Sequence, residues 1–568
     1  MRQPYPVPPH PIDPRCTHAQ LIKTATTNLP LFNNLITTYS RSNLISDASR
    51  LFNQIQSPNV VTYTAMISAQ SNHIASLHRF ISMLRHPIIP NQRTLASLFK
   101  TCASLMAVSF GLQLHGFTLK NALSKLPFTG SALVNFYSKC GVPRDALKVF
   151  DEIPERDEVC YAAVIVGLAQ NNEATKALCV FSDMKVKNVE STVESVSGAI
   201  RAAAELAAFE QCRIIHGHSV VAGFEGSIVV GTSLVDGYGK AGIVTDARRV
   251  FDEMLMNVNV FGWNAMMAAY AQQGDMNSVV ELFNGMKQKG VRADEYSFLA
   301  ILTACGNAGL VIDAEQWLRR MSQEYGVEPG LEHYTCVIGA LSRAGELADA
   351  KLLSMNMPFE PDAAVWRALL SASAVHGDTK MALEMGETLL NINSQDDSAY
   401  AILANVLAAA KSWDDVAGVR KLMKDRRVRK EIGRSWVEVR GEVHEFFAGD
   451  KRHKRTVEIY NKLEEIMDAI GKLGYKEVTS ASLHDAGVEE KKKALWYHSE
   501  KLAVAFGVLS DAAPPGKALR IVKNLRICKD CHEAFKYMSR VIEREIVVRD
   551  FNRYHRFING DCTCGDYW

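Results

Sequence analysis

Two short motifs near the C-terminus carry residues that could bind a metal. His498 and Glu500 form an H-x-E motif, and Cys528 and Cys531 form a C-x-x-C motif further along the chain. A neutral imidazole and two thiolates suit zinc, and three protein ligands leave the fourth tetrahedral position for water. Glu500 is not needed as a ligand, so its carboxylate could move protons to and from that water. A lone C-x-x-C would more simply be a buried or redox pair, but the upstream H-x-E favours a catalytic zinc site.

The end of the chain offers a second set of metal ligands. Cys562 and Cys564 are one residue apart, His555 precedes them, and His532 directly follows Cys531. Two histidines and two cysteines would fill all four positions around zinc, which is typical of a structural site. Such a site would attach the C-terminal tail to the helix that begins at the C-x-x-C motif.

Other histidines of this region lack such a pattern. They have no cysteine at metal spacing, so we expect surface or packing roles for His444, His453 and His484.

The composition indicates a folded chain of several domains. The 568 residues are 47% hydrophobic, which is ample for packed cores. Lys and Arg number 64 and Asp and Glu number 62, so the overall charge gives no support for binding a polyanion. Four of the twelve cysteines cluster near the C-terminus and the others are scattered singly, which indicates intracellular metal-site usage and not a disulfide framework. No apolar run approaches the roughly 20 residues that cross a bilayer, so no membrane span is predicted.

Upstream of the motifs, most of the chain is a repeated helical pattern. The stretch NALSKLPFTGSALVNFYSKCGVPRDALKVFDEIPERD is matched later by VAGFEGSIVVGTSLVDGYGKAGIVTDARRVFDEMLMN. Within each stretch apolar residues recur twice at helical spacing, separated by a Gly turn at Cys140-Gly141 or Ala241-Gly242. One such hairpin cannot bury both of its faces, so stacked hairpins must share a core. The period therefore predicts an α-helical solenoid.

Several phrases identify the repeat. NVVTYTAMI, DARRVFDEM and ELFNGMKQKGVRADEYSF resemble the pentatricopeptide repeat (PPR) family, in the variant that alternates units of three lengths. The resemblance implies about ten PPR units over residues 29–362, preceded by a transit peptide or N-terminal cap at 1–28. The first 46 residues contain four basic residues and one acid, with several Ser and Thr, which is typical of organellar targeting. The alternative is a disordered Pro-rich start.

PPR units read single-stranded RNA at one base per unit. In the family the fifth and last residues of a unit make the contact, because short polar side chains can reach the Watson–Crick edge of a base. Six pairs match this pattern: Asn33 with Asn59, Thr64 with Asn91, Ser131 with Asp157, Thr232 with Asn259, Asn264 with Asp294, and Thr335 with Asp362. They imply the element 5′-Y-A-n-G-n-n-A-U-n-G-n-n-n-C, with the target cytidine last. The alternative is that these residues only cap helices.

The pattern changes towards the C-terminus. Residues 363–430 resemble the two E motifs, helical hairpins that would fix the distance between the RNA track and the C-terminal domain. RSWVEVRGEVHEFFAG then alternates apolar and polar residues around Arg440-Gly441, which predicts a β-hairpin, and helix, strand, helix and strand come after it. Residues 431–568 resemble the DYW deaminase domain, down to the terminal Asp566-Tyr567-Trp568. The predicted fold is thus a PPR solenoid followed by an α/β zinc-dependent cytidine-deaminase-like domain.

Three positions depart from the family's pattern. Ile527 stands where zinc deaminases carry Pro before the first cysteine. Ile432-Gly433 replaces the usual Pro-Gly. Arg556 stands where a second histidine is usual, so His555 is taken as the ligand.

The resemblance implies a site-specific C-to-U RNA editing factor of organellar transcripts. Zinc on His498, Cys528 and Cys531 would activate water for hydrolytic attack on cytosine C4, with Glu500 moving the protons, and a second zinc would be structural. The implied partners are organellar single-stranded RNA and editing co-factor proteins, with no membrane or DNA. The short Arg-containing start favours the mitochondrion, with the chloroplast as the alternative.

Two other functions remain open at this point. One is an RNA-binding specificity factor for a deaminase supplied in trans, against which the intact motifs argue because nothing would then require Glu500. The other is a protein-interaction solenoid with a zinc-stabilised end. Dependence of binding on RNA sequence would separate the protein-interaction solenoid from the two RNA-binding functions.

Overall fold

The computed structural model describes residues 13–23, 28–478, 495–512, 517–551 and 553–566. Most of the predicted transit peptide, His484 and the terminal Tyr567-Trp568 lie outside these residues. The chain divides into two compact units, Met1–Ala202 and Ala203–Trp568. Each unit is built from antiparallel helical hairpins, and the second also contains an α/β domain.

The first unit consists of helices of 10 to 13 residues. Tight turns join them, and at Gly141 the chain adopts a left-handed φ of 73° where the sequence predicts a hairpin turn. Ring contacts such as Phe150 with Tyr161, 5.1 Å between centroids, join successive hairpins. The helices are Pro14–Lys23, Leu29–Arg41, Ile45–Gln54, Val60–Ala69, Ala75–Arg85, Gln92–Ser104, Val108–Lys120, Pro127–Lys139, Pro143–Glu152, Glu158–Gln170, Ala174–Val186 and Val193–Glu205, the last of which ends in the second unit.

The second unit continues the same pattern. Phe251 and Trp263 meet edge to face at 4.9 Å and join successive hairpins, so the predicted helical solenoid is confirmed. Its repeat helices are Phe209–Val221, Ile228–Lys240, Val244–Met254, Val260–Ala271, Met276–Gln288, Glu295–Ala308, Val311–Gln323, Leu331–Ala344, Leu347–Asn356, Ala363–His376, Thr379–Ile392, Asp397–Ala409 and Trp413–Asp425. None of the helices in the described parts of the chain is long and apolar enough to span a membrane.

The C-terminal domain combines a six-stranded sheet with helices in its described residues. The sequence predicts this α/β class and the first four strands, but not the last two. Its strands are β1 (Arg434–Val439), β2 (Glu442–Phe447), β3 (Leu519–Lys523), β4 (Ile546–Arg549), β5 (Tyr554–Ile558) and β6 (Asp561–Cys562), and its helices are Thr456–Lys472, Ser499–Leu509 and Lys529–Val541. The strand order is β2-β1-β3-β4-β5-β6, and among these strands β3 and β4 pair in parallel whereas the other neighbours are antiparallel. The predicted hairpin turn is confirmed at Arg440 and Gly441, whose φ values of 53° and 77° close β1 onto β2. A hydrophobic core, which includes Leu502, Phe535 and Val548, lies between the helices and the sheet.

The sheet also contacts turns between repeat helices of its own unit. Glu438 on β1 accepts hydrogen bonds from the backbone N–H groups of Glu210 and Gln211, both at 2.9 Å. These groups lie in the first turn of a repeat helix, where N–H groups have no partner within the helix. Trp436 donates its Nε1–H to the Leu206 carbonyl at 2.8 Å. The carboxyl group therefore attaches the domain to the repeats as a helix cap.

Cationic side chains extend this contact to the C-terminal ends of other repeat helices. Arg549 donates to the Lys240 carbonyl at 3.3 Å, and the Tyr554 hydroxyl donates to the same oxygen. Arg553 donates to the Asn307 carbonyl at 3.1 Å. Helix C-termini carry unpaired carbonyls and partial negative charge, so arginines are favourable there.

The buried carboxyl group of Glu438 makes this contact sensitive to pH. Burial raises the pKa of Glu438 to about 7, although the N–H groups of Glu210 and Gln211 oppose the change. An acid with a higher pKa in the docked state gains a proton on docking, so the contact weakens as pH rises from about 4.5 to about 7. We expect hydrogen exchange at Glu210 and Gln211, corrected for intrinsic rates, to show less protection at pH 7 than at pH 5.5.

Glu438→Gln is the matched control for this pH effect. A Gln side chain keeps one oxygen acceptor for the helix end but cannot titrate, so protection should lose this pH dependence. If the variant showed the same dependence as the wild type, another group would be responsible.

Candidate active site and nucleic-acid interface

Two helix N-termini bring the H-x-E and C-x-x-C residues together. His498 directly precedes helix Ser499–Leu509, and Cys528 directly precedes helix Lys529–Val541. His498 Nδ1 lies 3.5 Å from Cys528 Sγ and 3.4 Å from Cys531 Sγ. Standard zinc bond lengths in a tetrahedral site place a nitrogen and a sulfur ligand about 3.6 Å apart. The three predicted ligands therefore fit one zinc ion.

The electrostatics of this site favour a thiolate. The neighbouring Cys531 thiol lowers the pKa of the Cys528 thiol to about 5, with burial opposing and His498 assisting. Cys528 is also the N-cap of its helix and accepts the backbone N–H of Cys531 at 3.4 Å. A helix N-terminus stabilises negative charge, and the thiolate is the form that binds a metal.

Glu500 lies beside this set, in the first turn of its helix, and is only 2% exposed. Lys523, at the end of β3, places its Nζ 3.1 Å from Glu500 Oε2. The Ser499 hydroxyl donates to the same oxygen at 3.0 Å and accepts from Lys523 at 2.8 Å. Burial is the largest single effect on Glu500 and opposes its ionisation, but the charges of Lys523 and His498 together with hydrogen bonds outweigh it and lower the pKa of Glu500. The carboxylate is thus held ionised and fixed in orientation.

A fully buried ion pair joins the two helices that carry the candidate ligands. Lys501 Nζ lies 2.7 Å from Asp530 Oδ2, and the two side chains are 0% and 1% exposed. Asp530 Oδ1 accepts from the Tyr475 hydroxyl at 2.7 Å and from the Val478 backbone at 2.9 Å. Lys501 follows Glu500 and Asp530 precedes Cys531, so the pair fixes the spacing of the two motifs.

The second predicted ligand set also comes together. The ligand atoms of His532, His555, Cys562 and Cys564 all lie within 4.8 Å of one another. His532 Nε2 is 3.2 Å from Cys564 Sγ, and His555 Nδ1 is 3.8 Å from Cys562 Sγ. Two histidines and two cysteines at these distances fit a four-coordinate structural zinc. Asp550 lies 3.5 Å from His555 Nε2, where its carboxylate can orient the ring.

Two departures from the family's pattern have local structural reasons. Ile527 donates its backbone N–H to Asp550 Oδ2 at 3.3 Å, which a proline could not do. Arg556 pairs with Glu545 across the sheet at 2.6 Å and points away from the ligand set. His444 and His453 both pack on the Phe506 ring at 4.6 Å, in accordance with their predicted packing roles.

The last residues of the six predicted RNA-reading pairs all cap helices. Each accepts a backbone N–H from the first turn of the helix that comes after it. These residues are Asn59, Asn91, Asp157, Asn259, Asp294 and Asp362. Capping is therefore one role of each. Since Asn and Asp side chains have further hydrogen-bonding capacity, reading of a base stays a prediction.

Two of the pairs are close in space. Asn264 Nδ2 donates to Asp294 Oδ1 at 2.8 Å. A Cβ added at Gly262 would lie 3.5 Å from Thr232 Oγ1 and 3.9 Å from Asn259 Oδ1, so those two oxygens lie near the same point. Val258 Cγ1 is only 2.7 Å from that point, so the close packing of Val258 favours glycine at position 262.

In the other four pairs, all within the described residues, the two side chains are not directly hydrogen-bonded to each other. Thr64 bonds Thr94 at 2.6 Å, and Thr94 in turn donates to Asn91. In the described part of the chain no hydrogen bond joins the two members of the remaining pairs, which begin with Asn33, Ser131 and Thr335.

Three arginines meet beside the candidate active site. Burial lowers the pKa of Arg526, Asp550 opposes this change, and the charges of Arg343 and Arg553 lower it further. Arg343 belongs to repeat helix Leu331–Ala344, whereas the other two belong to the C-terminal domain. The domain and the repeats therefore share a cluster in which cations outnumber acids.

The residues that position the candidate ligands could not be recognised in the sequence as easily as the candidate ligands themselves. Lys523 ends an apolar strand, and Lys501 interrupts the apolar run of helix Ser499–Leu509. A single cationic residue in an otherwise apolar segment indicates a buried charge, and a buried charge requires a partner of opposite charge. The partner could not be identified without the fold.

Comparison with known families supports this assignment of the elements. Residues 474–568 match the DYW family of nucleic acid deaminases, 376–438 match the E motif and 443–470 match the E+ motif. The E+ match falls within the segment predicted as the deaminase domain. PPR repeats match at 31–60, 131–157, 159–189, 232–257, 258–307 and 296–325.

Relatives in Arabidopsis thaliana span nearly all of the chain. One pentatricopeptide repeat-containing protein is 39% identical over 94% of this chain, which spans 54% of that relative's length. Another is 38% identical over 97% of this chain and 94% of its own length. A third, named mitochondrial, is 37% identical over 95% of this chain and 85% of its own.

A solved structure shows the same repeat fold. The crystal structure of the pentatricopeptide repeat protein PPR10 in complex with an 18-nt psaJ RNA element superposes with a TM-score of 0.54 at 18% identity. The match covers 72% of this chain and 62% of that one. The chain therefore belongs to the pentatricopeptide repeat family, among the members that carry E and E+ motifs and a C-terminal DYW deaminase domain.

Proposed function

We propose that this protein is a site-specific C-to-U RNA editing factor of organellar transcripts that deaminates its target cytidine in cis. The observation that carries the proposal is the buried Glu500 carboxylate beside the His498, Cys528 and Cys531 ligand set. An RNA-binding chain that relied on another protein for chemistry would not require this carboxylate. The repeats upstream resemble RNA-binding units, and some relatives are named mitochondrial.

The residues of the chain have distinct parts in the reaction. Zinc held by the three ligands would supply an activated water for attack on C4 of cytosine. Glu500 takes a proton from the water, passes it to N3, and then assists departure of ammonia, so cytidine and water become uridine and ammonia. Lys523 and Ser499 keep the carboxylate ionised and aimed. The repeats present unpaired RNA, so no duplex has to be opened.

The direct test uses the purified, zinc-loaded full chain and an RNA that carries the predicted element. We expect conversion of the last C to U, and weaker binding when U replaces the last G, which Thr335 and Asp362 are proposed to read. Equal affinity for the two RNAs would remove these two residues from the assignment. Sequence-dependent binding without conversion would favour a deaminase supplied in trans. Binding that ignores RNA sequence would favour a protein-interaction solenoid.

Replacing Lys523 should shift the pH dependence of the reaction. Lys523→Met removes the charge that most strongly opposes the desolvation of Glu500, so the pKa of Glu500 rises and the carboxylate protonates at higher pH. We expect the acid limb of the rate–pH profile to move to higher pH. Lys472→Met, at the exposed end of helix Thr456–Lys472, is the matched control and should leave the profile unchanged. An unshifted acid limb in Lys523→Met would remove Lys523 from this role.

A further inference from the structure

A cavity lies between the repeat helices from the last predicted reading unit onward and the C-terminal domain. It has a volume of about 710 Å³. One wall consists of repeat helices and includes Thr335, the fifth residue of that last unit. The opposite wall belongs to the C-terminal domain and includes Arg526 and Phe551. Arg526 stands two positions before Cys528, so this wall of the cavity is only two residues from a candidate metal ligand in the chain.

The size of the cavity suits a nucleotide. Sites that enclose a drug-sized ligand measure about 300–1000 Å³, and a nucleotide is a ligand of that size. The predicted element places three unread nucleotides between the base assigned to Thr335 and the target cytidine. These nucleotides must cross the space between the repeats and the active site.

The charges around the cavity suit a phosphate. Arg343 and Arg526 line it from opposite walls, and Arg553 lies close to both. Arg343 donates to the Gly306 carbonyl at 3.0 Å, but its buried Nε has no hydrogen-bond acceptor among the described residues. Guanidinium groups bind phosphate oxygens through charge-assisted hydrogen bonds, which would satisfy this donor and offset the repulsion between arginines.

The acids that line the cavity already have partners. Asp396 pairs with Arg367, and Asp397 accepts the backbone N–H of Glu431. Glu431 in turn accepts from Asn524 at 2.9 Å. An anion at Arg343 and Arg526 would therefore not face a lining carboxylate that lacks a hydrogen-bond partner.

An exposed aromatic ring completes the arrangement. Phe551 lines the cavity from the loop between β4 and β5 and is 79% exposed. A ring left in solvent beside arginines is the usual platform on which an unpaired base stacks.

We propose that this cavity binds the single-stranded RNA between the last read base and the target cytidine, with Arg343 and Arg526 on phosphate and Phe551 stacked on a base. The inference rests on the proposed function, because it requires the repeats to deliver RNA to the active site. It assigns a sequence-independent binding site to a part of the RNA that no reading pair touches.

The test compares two RNAs on the zinc-loaded full chain. The long RNA runs through the target position, where uridine replaces cytidine so that no reaction occurs, and the short RNA ends at the base assigned to Thr335. Stacking of one base contributes about 1–3 kcal/mol, so the wild type should bind the long RNA about 5- to 150-fold more tightly. Phe551→Ala should remove most of this advantage. Arg343→Gln should reduce it and lower the salt dependence for the long RNA by about 0.7 in slope.

Matched controls separate this site from a general loss of binding. Arg319→Gln and Trp413→Ala remove an exposed arginine and an exposed aromatic ring outside the cavity, and should leave the advantage intact. Equal weakening of both RNAs by Phe551→Ala and Arg343→Gln would overturn the inference. So would equal wild-type affinity for the two RNAs, which would leave the cavity to a protein ligand. Failure of the wild type to bind even the short RNA sequence-dependently would instead overturn the proposed function.

Discussion

Glu500→Gln should slow deamination of the target cytidine by at least about 10²-fold and up to about 10⁴-fold, the range that a positioned general acid–base contributes. Gln has nearly the same shape and can still accept from Ser499 and Lys523, so the site should stay assembled. It cannot carry the proton from water to N3. Single-turnover conversion of a labelled RNA measures the loss.

Two controls make this result specific. Zinc content should equal that of the wild type, because Glu500 is not one of the clustered ligands. Affinity for the RNA should also be unchanged, because the reading pairs lie on the repeats. Conversion at the wild-type rate by Glu500→Gln or Glu500→Ala would refute catalysis in cis.

Asp530→Asn should produce the largest loss of stability in the C-terminal domain, about 3–5 kcal/mol, as expected for breaking a buried ion pair. Asn can still accept from Tyr475 and Val478, but the Lys501 ammonium is left buried without its counter-ion. Hydrogen exchange along helix Lys529–Val541 would measure the loss. Since this helix begins at the C-x-x-C motif, zinc affinity should fall in parallel.

The double variant Lys501→Met with Asp530→Asn tests the cause. Removing both charges leaves no unpaired ion, so part of the lost stability should return. Glu465→Gln, which breaks the exposed pair with Lys462, should cost less than about 1 kcal/mol. If Asp530→Asn cost no more than that surface control, the buried pair would not be what fixes the two motifs.

The candidate active site could be predicted largely from local sequence. His498, Glu500, Cys528 and Cys531 are recognisable because metal chemistry restricts both residue type and spacing. The same reasoning assembled His532 and His555 with the last two cysteines, although the histidines lie on a helix and a strand that are apart in the chain. The solenoid could also be predicted from the sequence, because its helical period repeats many times.

Contacts between residues far apart in the chain could not be predicted from the sequence in this way. Glu438 alternates with apolar residues in β1, so the pattern suggests a solvent-facing residue, yet it is buried against Glu210 and Gln211 more than two hundred positions away. Nothing in the local sequence encodes that contact. The sequence also does not distinguish helix capping from base reading at residues such as Asp294, because both roles require the same short polar side chain.

The adjacency of Cys531 and His532 has a consequence for how the protein acquires metal. One helix start carries a candidate ligand of each of the two clusters, so an ion bound at one cluster would order this turn and position the neighbouring residue for the other. Loading should then be cooperative, and native mass spectrometry during zinc titration should show mainly molecules with no ion or with two. Loss of zinc from the cluster near the C-terminus should therefore weaken zinc binding at His498, Cys528 and Cys531, although none of these three residues is changed.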